Sequence, residues 1–200
     1  PVSRRSGQTQ AVKKSPEGYA RWVREVHDMA DDAPLNLDRL AERCDIAVYE
    51  DQFDGFLGLC LRVGDRHGIA LATGQIHARR RFTLAHELGH ACMPGHSKAA
   101  VLQCLATDLS GADPDKTIER EANEFAAELL APRRLVAPIL TRGAISLAKA
   151  QELADHFDIS LTAGARRVVE SGGQPAAVVV CQNGRVSWSL RRNGFPYGLP

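Results

Sequence analysis

Residues 80–100, RRFTLAHELGHACMPGHSKAA, hold three histidines whose reading decides the fold. His86, Glu87 and His90 form an H-E-x-x-H pattern, and His96 follows six residues after His90. Phe82, Leu84, Ala85 and Leu88 recur at helical spacing, so Arg79–Cys92 is expected to be a helix, with Gly89 leaving room near its histidines. Residues four apart share a helix face, which points His86 and His90 the same way, one turn apart. Two neutral imidazoles at that spacing can bond one zinc ion at about 2.0–2.1 Å. Glu87 stands beside the first of them, where a carboxylate can take a proton from water acidified by the ion. His86 and His90 are therefore expected as metal ligands and Glu87 as the general base.

A catalytic zinc needs a third protein ligand and an open position. Two parts of the chain compete to supply it. His96 has the spacing used by metzincins, but that class also needs a Gly three residues after the second His, where this chain has Met93. It further needs a downstream Met-turn, and the methionines here are Met29 and Met93. His96, in a Pro94-Gly95 loop, is therefore expected to face solvent. The rival is TIEREANEFAAELLAP, ended by Pro132, where Glu119 and Asn123 lie four apart on one face. Glu119, 29 residues beyond His90, becomes the expected third ligand, and Asn123 the partner that orients a histidine ring. Ile118, Ala122, Phe125, Ala126 and Leu129 are expected to pack this helix under the metal. Against this stands an acidic run in which Glu119, Glu121, Glu124 and Glu128 would all be solvated. Glu121 and Glu124 fit that description well, whereas Glu119 has a partner at the right offset.

The composition bounds the rest. With 200 residues, 44% hydrophobic and 24% charged, the chain suits one globular domain or one with a small appendage. A formal charge of +1 argues against a general nucleic-acid binder or a membrane-surface protein. No apolar run reaches transmembrane length, and the N-terminus lacks the apolar centre of a signal peptide. A chain beginning at Pro1 points to processing or trimming. Five scattered cysteines without a C-x-x-C pair form neither a disulfide framework nor a thiolate zinc site. They fit free thiols in a reducing cytoplasm, the expected location.

The expected fold is α+β. Residues 1–15 read as a disordered basic tail, and 16–132 as a zincin-like metallopeptidase core with a small β-sheet and the active-site helix. Residues 133–172 read as a helical, helix-turn-helix-like subdomain, and 173–200 as a C-terminal β-hairpin and tail. Within the core, a helix from Leu37, a strand at Ile46–Tyr49 and a hairpin over Gly55–Thr73 are expected. The Met93–Asp115 stretch reads as an irregular connection with one short helix. Asn183-Gly184 marks the C-terminal hairpin turn.

The pair RRFTLAHELGHA and IEREANEFAAELLAP closely resembles the ImmA/IrrE family of bacterial metallopeptidases, gluzincin-like in arrangement. The likeness is strongest between Arg81 and Pro132, with Ala131 where the family more often has Met, and extends weakly to Glu170. The resemblance implies Zn2+ held by His86, His90 and Glu119, with Mn2+ as the alternative ion, and Glu87 as base. It also implies a regulatory protease that cuts a protein substrate, a helix-turn-helix transcriptional repressor encoded nearby, under stress. The alternative is a DNA-binding or protein-binding regulatory module with a latent metal site. For DNA binding the relevant stretch is AKAQELADHFDISLTAGARRVVE, with Arg166 and Arg167. The near-neutral charge favours instead a helical pair that packs beneath the site. His77, His156, Tyr197 and Arg79–Arg81 are candidates to stabilise an oxyanion. A free strand edge in the Phe56–Leu71 hairpin is expected to hold an extended peptide.

Overall fold

Ser15 accepts a hydrogen bond from the Gly18 N–H at 3.1 Å and Pro16 fills the first turn, starting α1 (Pro16–Val26). The computed structural model describes residues 14–64, 66–96, 101–104 and 117–198. Asn36 caps α2 (Leu37–Arg43) in the same way, through the Arg39 N–H at 2.9 Å. Four strands follow as one sheet: β1 (Ala47–Asp51), β2 (Gly58–Val63), β3 (Arg66–Ala72) and β4 (Val101–Cys104). Their order is β1-β3-β2-β4, with β1 parallel to β3 and β2 antiparallel to both its neighbours. The histidine helix α3 (His77–Cys92) packs on β2 and β3 and against α4 (Thr117–Leu130). Then come α5 (Arg133–Leu140), α6 (Leu147–Phe157) and α7 (Leu161–Ser171). Strands β5 (Ala177–Gln182) and β6 (Arg185–Arg191) pair as a separate hairpin. Its turn has positive φ at Asn183 and Gly184, the backbone that Asn-Gly favours. The fold is α+β, as the sequence leads one to expect.

Two expectations change. The β2–β3 hairpin forms, but β2 lies between β3 and β4, and β3 between β1 and β2. Neither strand offers a free edge; the edges are β1 and β4. The Met93–Asp115 connection contains strand β4, four residues too short to stand out in a Pro- and Gly-bearing stretch. The short helix expected there and residues 1–13 of the expected tail lie outside the described residues.

The main core joins α1, α2, α3, α4 and the sheet through Leu40, Ile69, Leu71, Leu84, Leu88, Phe125 and Leu129. A second cluster, with Val136, Leu153, Phe157 and Val168, lies among α5, α6 and α7. Helices α6 and α7 pack against each other, and Arg167 on α7 is 4% exposed. It lies 3.4 Å from Glu128 and 3.2 Å from Glu170, so its charge is engaged within the fold. Arg166 rests over the Trp188 ring at 5.4 Å. Among the described residues, no helix is long and apolar enough to cross a membrane.

Arg24 is the main polar tie in the first core. It is 1% exposed and donates to the Leu129 carbonyl at 2.8 Å and to the Ala30 and Asp32 carbonyls. Leu129 is in the last turn of α4, whose carbonyls have no partner within the helix. A cation there satisfies one of them and suits the helix dipole. Arg24→Met keeps most of the volume but leaves buried carbonyls unpaired, and should cost about 1–3 kcal/mol. Urea unfolding with an unchanged denaturant slope is the check.

Candidate metal centre

Helix α3 has Ile76 at its N-cap position and so no side-chain cap, which leaves other groups to fix its position. Thr83 donates from Oγ1 to Gln75 Oε1 at 2.8 Å, and Gln75 Nε2 donates to the Leu57 and Ala72 carbonyls at 3.0 and 2.9 Å. The helix start is thereby fastened to the ends of β2 and β3. Arg81 reinforces this by donating to the Asp158 and Leu35 carbonyls at 2.8 and 3.1 Å. One face of α3 is then buried whole: His86 and Glu87 are 0% exposed and His90 is 1%.

Gly89 lies against α4. A Cβ there would stand 3.1 Å from Phe125 Cδ1, so its small size lets Phe125, and with it α4, come close. The room that the sequence suggested beside the histidines is occupied by that ring. Close approach brings the first turn of α4 to the histidines. His86 Nε2 is 3.1 Å from Glu119 Oε2 and 3.0 Å from His90 Nε2, and His90 Nε2 is 3.6 Å from Glu119 Oε2. One ligand atom from each residue falls within 4.8 Å of the others. An ion bonded at about 2.0–2.1 Å in tetrahedral geometry separates its ligand atoms by roughly 3.3–3.4 Å. The three distances bracket that spacing, so the donor set fits a divalent metal of zinc's size.

Protonation fits as well. His86 Nδ1 is 3.0 Å from Asn123 Oδ1 and donates to it, which leaves the Nε2 lone pair facing the cluster. Burial alone would raise the Glu119 carboxyl. When the facing nitrogens of His86 and His90 carry protons rather than an ion, hydrogen bonds and charge from them outweigh that and hold it well below the usual carboxylate range. Glu119 therefore stays an anion. Its side chain, 14% exposed, is the most open of the three.

The Glu87 carboxylate lies close to the sheet, at Gly58. A Cβ on Gly58 would meet Glu87 Oε1 and Thr83 Cγ2, both at 2.6 Å. The Cys60 thiol is pushed up to about 12, by burial first and then by the Glu87 charge. A glycine opening a strand is a sequence signal of close approach, and Gly58 could have been found by it. Gly58→Ala should displace the Glu87 carboxylate and cost about 1–3 kcal/mol, read as a lower midpoint in thermal or urea unfolding.

The structure also places the residues that were expected to be idle. His96 is 4% exposed, not solvent-facing: the Pro94-Gly95 turn folds it back against His90. It contacts His90 Nδ1, on the side of that ring away from the cluster, so it does not join the three ligand atoms. Burial, first of all, lowers its pKa, against the pull of Glu121. Glu121 binds His96 at 2.9 Å and is not simply solvated, whereas Glu124 pairs only loosely with Arg120, at 3.7 Å. Glu128 is buried beside Arg167. Among the oxyanion candidates, His77 binds Asp158 at 2.7 Å and Arg80 binds Glu50 and Asp38. Tyr197 is 70% exposed. The contacts of His77, Arg80 and Arg81 fasten surface segments and do not reach the His86–His90–Glu119 cluster.

Residues 41–169 match the peptidase M78 family, described as the IrrE N-terminal-like domain. The chain is 34% identical over 116 residues to the radiation response metalloprotease IrrE of Deinococcus deserti, covering 58% of this chain and 41% of that protein. It is 31% identical over 107 residues to the protein of the same name from Deinococcus radiodurans, covering 54% and 32%. The chain therefore spans less than half the length of either relative. Among solved structures, a Mycobacterium tuberculosis transcriptional regulator shares the fold, with a TM-score of 0.54 and 16% identity over 86% of this chain and 54% of that one. The family match covers well over half of the sequence, and this chain belongs to the IrrE N-terminal-like family of metalloproteases.

Proposed function

We propose that this chain is a zinc-dependent regulatory endopeptidase that cuts a partner protein, a helix-turn-helix transcriptional repressor encoded nearby, in the cytoplasm. What carries the reading is the convergence of His86, His90 and Glu119 from two helices, with Glu87 buried on the same helix as the two histidines. The radiation response named for both relatives supports a regulatory role under stress. Free Cys44, Cys60, Cys92 and Cys181 suit a reducing compartment.

In this reading His86, His90 and Glu119 hold the metal, and Asn123 fixes the His86 ring. A Zn2+ ion held there would supply a water of lowered pKa and a polarised scissile carbonyl, and Mn2+ is the alternative, since two histidines and one carboxylate accept several divalent ions. Glu87 accepts the proton released by the attacking water and passes it to the departing amine. Its burial between α3 and β2 keeps that carboxylate in one place. The inward Arg167 favours protein recognition over direct DNA binding.

The test uses the purified chain and the regulator encoded beside it. The wild type should cut the regulator at one site, seen by intact-mass spectrometry. Glu87→Gln should lower the rate at least 100-fold while binding metal as well as the wild type, in line with the size of general-base effects. Cleavage that survives this substitution would contradict the mechanism.

A further inference from the structure

Both nitrogens of the His90 ring are engaged, and on different sides. Nε2 faces His86 and Glu119, while Nδ1 lies 3.3 Å from His96 Nδ1. The His96 ring is engaged at both nitrogens too, with Nε2 2.9 Å from Glu121 Oε2. His90 and His96 are 1% and 4% exposed, so water does not compete freely for these contacts. The order Glu121–His96–His90 thus leads from a carboxylate to the ligand cluster.

We propose that His96 and Glu121 are a positioning pair that fixes the tautomer and orientation of His90, and so sets how tightly the His86–His90–Glu119 site holds a divalent cation. The proposal rests on the metal-centre reading given above. Its logic is donor and acceptor counting. A carboxylate only accepts, so His96 Nε2 carries the proton shared with Glu121. The neutral His96 ring then presents a lone pair at Nδ1. The facing His90 Nδ1 must donate to it, which leaves the His90 Nε2 lone pair aimed at the cluster. His86 reaches the same state by a shorter route, donating directly to Asn123 Oδ1 at 3.0 Å. Each histidine of the cluster therefore has its own orienting partner, and both partner systems draw on α4. Partners of this kind, one step removed from the ion, typically change metal affinity by 10–100-fold.

Zinc binding to metal-free protein, measured by competition with a chromophoric chelator, tests this without reference to proteolysis. His96→Leu removes the acceptor and should weaken zinc binding by about 10–100-fold. His96→Gln offers an amide oxygen to His90 and an amide N–H to Glu121, and should stay within about threefold of the wild type if acceptance at this point is what matters. Thermal unfolding of the metal-free proteins separates a folding defect from an affinity defect. If His96→Leu does not fold, nitrogen-15 shifts of the histidines in the zinc-loaded wild type decide. His96 protonated at Nε2 and bare at Nδ1 supports the proposal, and the reverse tautomer overturns it. Equal affinity of folded His96→Leu and wild type overturns it, as does His96→Gln binding as weakly as His96→Leu. A wild type that binds zinc no better than His86→Ala removes the metal-centre reading itself, and the positioning pair with it.

Discussion

The contact of Phe125 with Gly89 is the constraint on which the site depends. The proposed ligand set is split between α3, with His86 and His90, and α4, with Glu119, so it comes together only if the two helices meet closely and in one register. A Cβ at residue 89 would lie 3.1 Å from the Phe125 ring, closer than most such contacts. Phe125 is itself fully buried, within a core that includes Leu84, Leu88, Ala122 and Leu129. Interiors packed to this density transmit small displacements, so a shift of α4 moves Glu119 and Asn123 together. Arg24 bonds the opposite end of α4, at Leu129, and Gln75 ties the start of α3 to β2 and β3.

This arrangement uses one helix for several tasks. Glu119 faces the two histidines, Asn123 bonds the ring of the first, and Glu121 bonds the residue behind the second. Farther along, Glu128 turns to Arg167 and accepts from the Arg133 N–H at 3.2 Å, which joins α4 to α7 and to the start of α5. An acidic run that looks uniform in the sequence is divided by helical geometry into four different environments.

Much of this was legible because it is local. The shared face of His86 and His90 follows from four-residue spacing, and the start of α1 follows from Ser15 at its N-cap and Pro16 after it; α2, α6 and α7 likewise start at residue types that favour an N-cap, Asn36, Ser146 and Ser160. The offset of Glu119 and Asn123 marked a polar pair on one face of α4. What stayed hidden is non-local. Nothing near Ala47–Asp51 says that β1 joins the sheet in parallel beside β3. Strand β4 exists because β2 has an edge to offer it. His96 was expected in solvent because Pro94-Gly95 reads as an exposed turn, yet the turn folds inward onto His90. Glu121 was misread with it, since its partner is 25 residues away in sequence.

The central claim is that one divalent ion is held by two histidines of α3 and one glutamate of α4. The most direct measurement is a crystal structure of the zinc-loaded chain with anomalous data collected at the zinc edge. The expected result is one strong peak about 2.0–2.1 Å from His86 Nε2, His90 Nε2 and a Glu119 carboxylate oxygen, with His96 outside bonding distance. A peak bonded to His96 or to a cysteine, or no peak among these three residues, would contradict the account.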